Sequence, residues 1–264
     1  PMQGIHEALN AISHAVTWNK NRVHILGTKL DSVFEVVANL DQLSVLDEYD
    51  SKALLKKNGF NVPQGKLCLD KVTSNDLGSL NFPVALKMVS SKILHKTELN
   101  AVVLNIEGEF ELRAAVKKMR SSVSKKAPNL VSNRYLIEEM ANTPLAELIV
   151  GIRSDSQFGL SLTIGSGGIL VDLIGDVSTI ILPTHSGEIS EAIKNLKVFK
   201  LLDGFRGMPK VKLEVVVDAI MKLVIFAEEN INLISEIEIN PMFVYEDSVQ
   251  MVDALIYAFE TYDT

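Results

Sequence analysis

The sequence has almost no cysteine: a single residue, Cys68, among 264. One cysteine excludes an internal disulfide framework and a zinc site built on cysteine thiolates. Cys68 lies in the strand-like segment GKLCLD with no evident base beside it. We therefore interpret it as a packing residue rather than a nucleophile.

The sequence also lacks an excess of positive charge and a long hydrophobic run. Its formal net charge is −7, which argues against general nucleic-acid binding because that binding depends on clustered Lys and Arg. No apolar segment approaches the roughly 20 residues of a membrane span. No signal peptide is visible either, so we expect a cytoplasmic protein that binds neither nucleic acid nor membrane.

What the sequence does contain is typical of a packed globular protein, with 47% hydrophobic and 22% charged residues. Apolar residues recur at helical spacing in residues 4–17, 109–124, 186–197 and 212–230, and strand-like segments lie between them. A short helix is expected after the last hairpin. This mixture of helices and hairpin strands predicts an α+β (mixed α/β) fold in two lobes.

The last hairpin, ISEIEINPMFVYEDSVQMVDALI, carries acids and an amide in an apolar neighbourhood. Glu236, Glu238 and Asn240 share one face because residues two apart in a strand point the same way. With the turn at Glu246–Asp247, Asn240 falls directly opposite Asp253. Oxygen ligands from these strands are what Mg²⁺ prefers. Spacing alone leaves open a metal site or a solvated sheet face.

Two basic segments follow one another near residue 90. Lys87 interrupts the apolar strand FPVALKMV, and ammonium groups are rarely buried without a partner. Lys87 is therefore a candidate for binding phosphate or carboxylate, unless its strand is half exposed. His95 and Lys96 follow in HKTELNA. His95 is a candidate acid, base or phosphate carrier, or an ordinary surface histidine.

Glycine-rich turns offer two further places for an anion. Gly165, Gly167 and Gly168 in TIGSGGIL match neither the dinucleotide fingerprint nor a P-loop. They are either a close approach of backbone to ligand or a plain turn at a strand end. Arg206 in LLDGFRGMP is either an anion-binding side chain or an exposed loop residue.

These segments, taken in chain order, resemble a known family. The order is LDEYDSKALLKKNGFNVPQG, FPVALKM, ILHKTELNAV, LIEEM, AELIVGIRSDSQFG, IGSGGILVDLIGDVSTIILP, LLDGFRGMP and EIEINPMF…VDALI. The pattern resembles the ATP-grasp module of ADP-forming acyl-CoA synthetases, akin to the beta subunit of succinyl-CoA synthetase. The resemblance covers about residues 46–258, and eight motifs in order are far more specific than any one of them.

The resemblance implies an ATP-grasp fold whose two lobes hold the nucleotide between them. Residues 46–137 would form the N-terminal lobe and residues 138–264 the C-terminal lobe. Residues 1–45 would be a linker and the tail of a preceding CoA-ligase-type module. The chain begins with Pro1 rather than Met, which fits the expectation of a piece of a longer polypeptide.

The same resemblance implies roles for individual residues, with ATP or ADP and Mg²⁺ as cofactors. Lys87 is similar to the strand lysine that contacts nucleotide phosphates. The loop of His95 and Lys96 is similar to the one that covers them. The candidate catalytic residues are His95, Lys96 and Arg206; the candidate nucleotide-binding residues are Lys87, Glu138, Glu139, Met140, Glu147, Gly167 and Gly168; the candidate Mg²⁺ ligands are Glu238, Asn240 and Asp253.

In the resembled family, acid, CoA and ATP interconvert with acyl-CoA, phosphate and ADP through a phosphohistidine on a CoA-binding part. The resemblance therefore implies a partner: a CoA-binding, phosphohistidine-bearing domain or alpha subunit, through which a small carboxylic acid and CoA enter. An oligomer is expected. This chain would supply phosphoryl transfer between ATP and that histidine.

Four positions depart from the family pattern. Asn100 and Ala101 stand where the family usually has two glycines, Asp172 stands in place of a glutamate, and Leu255 in place of an arginine. Such changes leave room for a degenerate ATP-grasp module with a regulatory or interaction role. A carboxylate–amine ligase, which forms an acyl phosphate directly, is the other alternative.

Overall fold

A computed structural model describes residues 4–25, 43–69, 72, 77–93, 96–155, 157–168 and 175–259. The chain divides into two compact units, residues 1–35 and residues 36–264. The described part of the first unit contains one helix, α1, at Ile5–Ile25. It confirms the helix predicted at residues 4–17 and extends it by two turns.

The second unit combines helices and strands, as the sequence predicted. Its helices are α2 (Glu48–Lys57), α3 (Glu109–Lys126), α4 (Ser186–Asn195), α5 (Phe199–Leu202) and α6 (Leu213–Glu229). Its strands are β1 (Leu43–Leu46), β2 (Gly65–Leu69), β3 (Val84–Val89), β4 (Val102–Ile106), β5 (Arg134–Glu139), β6 (Ala146–Asp155), β7 (Gly159–Ser166), β8 (Val177–Ile181), β9 (Ile234–Val244), β10 (Val249–Met251) and β11 (Ala254–Phe259).

The larger sheet, in the described residues, runs β1-β11-β9-β6-β7-β8, with β10 paired to β9. All of its pairs are antiparallel. Along β9 the isoleucines Ile237 and Ile239 are buried. The residues that alternate with them, Glu236, Glu238 and Asn240, are half-buried. The buried side packs in one core with α4 and α6. The other side of the sheet therefore carries the polar residues.

The smaller sheet runs β2-β5-β3-β4, and its pairs are also antiparallel. Its second core contains alternate β3 residues, among them Leu86 and Met88, together with Leu112 and Met119 of α3. Because side chains alternate across a strand, Lys87 lies on the side of this sheet away from α3. Each sheet thus has one side covered by helices and one side carrying charged residues.

The helix α2 leads into the smaller sheet. Its N-cap is Asp47, whose carboxylate accepts from the amide of Asp50 at 3.1 Å, and the chain turns away at Gly59 with φ of +76°. Leu55 of α2 is fully buried in the core of the larger sheet. The helix thereby places its charged first turn beside both sheets.

Residues 257–259 continue β11, which pairs with both β1 and β9. The rest of the segment predicted to form a short final helix lies outside the described residues, which end at Phe259. β1 lies across the predicted domain boundary at residues 45 and 46. The domain boundaries themselves stay predictions. Among the described helices, none is both long and apolar enough to cross a membrane.

Candidate functional site

The hairpin register predicted from the sequence is confirmed. In the antiparallel pair of β9 and β11, Glu238 lies opposite Leu255. One step further, the backbone amide of Asn240 donates to the carbonyl oxygen of Asp253 at 3.2 Å. Two of the predicted metal ligands, Glu238 and Asn240, therefore lie on β9, and the third, Asp253, lies opposite Asn240 directly before β11.

The donor set of this hairpin fits a hard cation, because carboxylate and amide oxygens are the ligands Mg²⁺ prefers. The side-chain oxygen of Asn240 is 3.4 Å from the backbone nitrogen of Gly168, which donates to it. Both carboxylate oxygens of Asp253 accept from Lys96 Nζ, at 2.9 and 3.0 Å. Among the described residues no three His, Cys, Asp or Glu side chains form a metal-binding group; the predicted set includes an amide. The ammonium of Lys96 is the cation that neutralises Asp253 here.

A fully buried carboxylate, that of Glu48 at the start of α2, joins three lysines. Glu48 Oε1 accepts from Lys52 at 2.8 Å and from Lys87. Glu48 Oε2 lies 2.6 Å from Lys96 Nζ, and the Glu48 side chain is 0% exposed. The lysines come from α2, from β3 and from the segment after β3. One side chain therefore connects three parts of the fold.

Two more acceptors complete the arrangement. Glu138 contacts Lys52 Nζ at 2.5 Å and Lys87 Nζ at 3.0 Å through different oxygens. The carbonyl of Val252 lies 2.9 Å from Lys52 Nζ and 3.3 Å from Lys87 Nζ. Three cations and three anions thus balance in one place. We call this group the lysine–carboxylate cluster: Glu48, Lys52, Lys87, Lys96, Glu138 and Asp253.

Mutual attraction keeps the buried centre of the cluster ionised. Burial alone would raise the pKa of Glu48, but the three lysines outweigh it and hold that pKa well below its ordinary value. Burial alone would lower the pKa of Lys87, but Glu48 and Glu138 raise it well above its ordinary value. At the more exposed end, burial and the Glu48 carboxylate raise the pKa of Asp253, against the opposing effect of Lys96.

The glycine-rich turn after β7 approaches the end of β6 closely. A Cβ on Gly167 would lie 2.6 Å from the carbonyl carbon of Leu148. Gly168 has φ of +67°, and a Cβ there would meet a carboxylate oxygen of Glu147 at 2.2 Å. The turn is therefore a close approach of backbone to backbone, and it brings Glu147, Gly167 and Gly168 beside Asn240.

The predicted nucleotide-binding residues Glu139, at the end of β5, and Met140, directly after it, have their own hydrogen bonds. The amides of Glu139 and Met140 donate to the carbonyls of Gln64 and Pro83, at 2.9 and 3.0 Å. The Glu139 carboxylate accepts from Asn81 at 2.8 and 2.9 Å. Both predicted residues line a cavity of about 640 Å³. Glu138 was predicted with them, but its side chain lies in the lysine–carboxylate cluster.

Arg206 occupies a strained position, with φ of 51° in the left-handed region where side chains are disfavoured. Its guanidinium lies 5.1 Å from the ring centroid of Phe205. Phe205 in turn lines a cavity of about 620 Å³ together with Glu147 and Gly167. Within the described residues no hydrogen bond or ion pair joins Arg206 to the cluster. His95 and Asp172 lie outside the described residues.

Sequence reasoning missed two residues of the cluster, Glu48 and Lys52. A signal was present: an acid and a lysine four residues apart at the start of an amphipathic helix form a favourable pair. Such pairs usually lie in solvent, however, so spacing does not reveal that this pair is buried. The burial comes from strands that pack on the helix from far along the chain.

Comparison with known proteins identifies the fold as that of an ATP-grasp domain, whose family model matches residues 38–257. The "Acetate--CoA ligase [ADP-forming] II subunit beta" of Pyrococcus furiosus is 32% identical over 234 residues, covering 87% of this chain and 98% of that protein. The acetyl-coenzyme A synthetase 1 of Ca. Korarchaeum cryptofilum, in complex with coenzyme A, Ca-AMPCP and HgCl⁺, superposes with a TM-score of 0.74 at 33% identity. That match covers 81% of this chain and 93% of the other.

A further structure of the Korarchaeum enzyme contains coenzyme A and Mg-AMPPCP, with its phosphohistidine segment pointing towards the nucleotide-binding site. It matches with a TM-score of 0.67 at 32% identity, over 80% of this chain and 91% of the other. The chain thus belongs to the ATP-grasp family, as the ATP-grasp part of the ADP-forming acyl-CoA synthetases. The resemblance inferred from the motifs and the expected fold class are both confirmed.

Proposed function

We propose that this chain transfers a phosphoryl group between ATP and a histidine of a CoA-binding partner, as one step in making acyl-CoA from acid, CoA and ATP. The observation that carries the proposal is the convergence of Lys87, Lys96 and Asp253 where the two sheets meet. Lysines beside a carboxylate–amide hairpin are the groups that a nucleoside triphosphate and its metal require.

Different groups of residues in this chain would contact different parts of the nucleotide and its metal. Lys87 and Lys96 would hold phosphate oxygens, while the turn at Gly167 and Gly168 would bring backbone amides close to the transferring group. Glu238, Asn240 and Asp253 would hold Mg²⁺, which when bound neutralises phosphate charge. Glu139 and Met140 would line the nucleoside end, and Glu147 would lie near the nucleotide beside Gly168. Positioning is the main demand, because phosphoryl transfer needs little covalent chemistry from the protein.

The partner follows from the relatives. The Pyrococcus protein is named as a beta subunit, and a Korarchaeum structure is described with a phosphohistidine segment pointing towards the nucleotide-binding site. We therefore propose a CoA-binding alpha subunit or domain as the phosphoryl acceptor. His95, Lys96 and Arg206 stay the candidate catalytic residues of this chain, with His95 the candidate for relaying phosphate; His95→Ala that leaves turnover unchanged would exclude such a relay.

Thermal unfolding with Mg·ATP tests the nucleotide site without any partner. At about 100 times Kd a ligand contributes about 2.7 kcal/mol, which corresponds to a rise in Tm of about 5–10 °C for a chain of this size. Asp253→Ala and Asn240→Ala should each remove most of the rise. Asp247→Ala, at the exposed tip of the same hairpin, is the matched control and should retain it.

Transfer of label from γ-labelled ATP separates the remaining possibilities. The proposal expects label on an added CoA-binding subunit of an ADP-forming acetate–CoA ligase, and no acyl product without it. Turnover with acid and amine in the absence of that subunit would instead identify a carboxylate–amine ligase.

A degenerate, non-transferring module is the second candidate, and one observation favours it. Leu255, where the family usually has arginine, lies directly opposite Glu238, so that acid faces an apolar side chain across the hairpin. If the intact protein shows no rise in Tm with Mg·ATP, a degenerate module replaces the enzyme as the proposed function.

A further inference from the structure

Each of the three ammonium groups of the cluster already meets three oxygen atoms of the protein. An ammonium carries three N–H donors. Lys52 meets Glu48, Glu138 and the carbonyl of Val252, and Lys87 meets the same three groups. Lys96 meets Glu48 and both oxygens of Asp253. A nucleotide phosphate that approaches one of these lysines therefore competes with oxygen atoms that are already in place.

Exposure identifies the contact that is easiest to exchange. The side chain of Asp253 is 30% exposed and that of Lys96 is 12% exposed, whereas Glu48 is completely buried. Asp253 is also the residue proposed to hold the metal. If Asp253 held a metal ion instead, Lys96 would lose two of its three contacts and keep one, to Glu48 Oε2.

Lys87 and Lys96 depend on Glu48 to different degrees. Lys87 is fixed in β3 and retains Glu138 and the Val252 carbonyl. Lys96 lies in a segment of turns after β3, so its backbone constrains its ammonium less. Without the Glu48 carboxylate, two neighbouring ammonium groups would repel each other and the less constrained one would move away.

We propose that Glu48 is a positioning residue for Lys96: its Oε2 keeps the Lys96 ammonium beside that of Lys87 while Asp253 holds the metal. This inference rests on the proposed function. Glu48 is not a catalytic residue in this account, because it touches neither nucleotide nor metal. It acts only through Lys96, the residue proposed to contact the nucleotide.

A double-mutant cycle on Mg·AMPPCP binding, measured by titration calorimetry, tests the inference. Glu48→Gln should weaken binding about tenfold, the size of one lost hydrogen bond to a charged group. In a Lys96→Met background the same substitution should change Kd by no more than about twofold, because the residue it acts through is gone. The matched control is Glu109→Gln, the first residue of α3, which pairs with Arg113 four residues on at an exposed site; it should leave Kd unchanged.

Unfolding measured on the same variants separates positioning from stability. Glu48→Gln should lower Tm in both backgrounds, since Lys52 and Lys87 lose a partner either way, whereas the affinity loss should appear only with Lys96 present. If Glu48→Gln does not fold, Glu48→Asp retains the charge but withdraws the carboxylate by one methylene. It should give an intermediate affinity loss, again confined to the Lys96 background.

Three results would overturn the inference: losses that add across the cycle, tighter binding in Glu48→Gln because the carboxylate had competed with phosphate, or no change. In each of these cases the wild-type chain still binds Mg·AMPPCP, and the proposed function stands. A wild-type chain that binds no Mg·AMPPCP rejects the proposed function as well.

Discussion

At the scale of single residues, Gly167 shows what the chemistry of the site requires of the backbone. A side chain there has no space, because its Cβ would lie 2.6 and 2.7 Å from the carbonyl group of Leu148. Neither partner in that contact is a flexible side chain, so β6 or β7 would have to shift. A shift would carry Glu147 and Gly168 with it and separate them from Asn240.

Gly167→Ala should therefore reduce the rise in Tm caused by Mg·ATP to less than half, and should also destabilise the chain by about 1–3 kcal/mol from overpacking. The control is Gly108→Ala, where a Cβ meets nothing within 4 Å and φ is extended. An alanine at residue 167 that leaves the nucleotide-induced rise intact would show that this turn does not contribute to the site.

Two departures from the family pattern, Asn100 and Ala101, can be explained by their local structure. Asn100 has φ of +55°, a region where glycine is unstrained and asparagine is tolerated better than other side chains. The neighbouring Ala101 is fully buried, and its carbonyl accepts from Met88 at 2.8 Å. Asn100 therefore maintains the glycine-like turn, and Ala101 fills a packed position.

At the scale of elements, the hairpin of β9 and β11 was predictable and its surroundings were not. Alternating polar and apolar residues predict a half-buried strand, and a turn at 246–247 fixes the register, so Asn240 and Asp253 follow from local sequence. The continuation of β11 to Phe259 depends on β1, about 200 residues earlier. Local pattern carries no information about such a partner, and for that reason the continuation of β11 beyond residue 256 was not predicted.

The turn after β7 and the segment before α5 are held together by Asp176. Its carboxylate accepts from the hydroxyl of Ser166 at 2.6 Å and from the amides of Lys197 and Val198 at 2.8 and 3.0 Å. Burial would raise the pKa of Asp176, but these hydrogen bonds outweigh it and lower the pKa. A lowered pKa means that the ionised side chain stabilises the fold.

Asp176→Asn should lower the free energy of unfolding at pH 7 by about 1.5–3 kcal/mol, the range for hydrogen bonds to a charged group. The wild-type contribution is complete above the pKa of unfolded aspartate, about 3.9, and is lost as pH falls through the lower folded pKa. The difference between wild type and variant should therefore shrink below about pH 4. Urea unfolding of both chains from pH 3 to pH 7 measures it; a difference that stays constant with pH would contradict this role.

At the scale of the whole molecule, the lysine–carboxylate cluster ties the two sheets together. Lys87 and Glu138 belong to the smaller sheet, while Val252 and Asp253 precede β11 of the larger one. Sequence reasoning selected Lys87, Lys96, Glu138 and Asp253 separately. It did not predict their mutual contacts, because ion pairing between residues 39 to 157 positions apart is fixed by tertiary packing alone.

Lys52→Met should destabilise the chain by about 3–5 kcal/mol, because it leaves Glu48 and Glu138 with one buried cation fewer. Lys117→Met, an exposed position on α3, is the control and should stay within about 0.5 kcal/mol of wild type. Chemical unfolding gives both values, and hydrogen exchange should show faster exchange in β3 and β11 of the Lys52 variant. Equal stability of the two variants would mean that the cluster contributes little to joining the sheets.

The balanced charges of this cluster also have a consequence for how a nucleotide would meet the protein under the proposed function. Three ammonium groups neutralised by three carboxylates project little field into the solvent, and the chain as a whole is negative. This cluster would therefore not steer an anionic nucleotide from a distance. The phosphates would bind by displacing a carboxylate from a lysine, so discrimination between nucleotide and other anions would take place after the encounter.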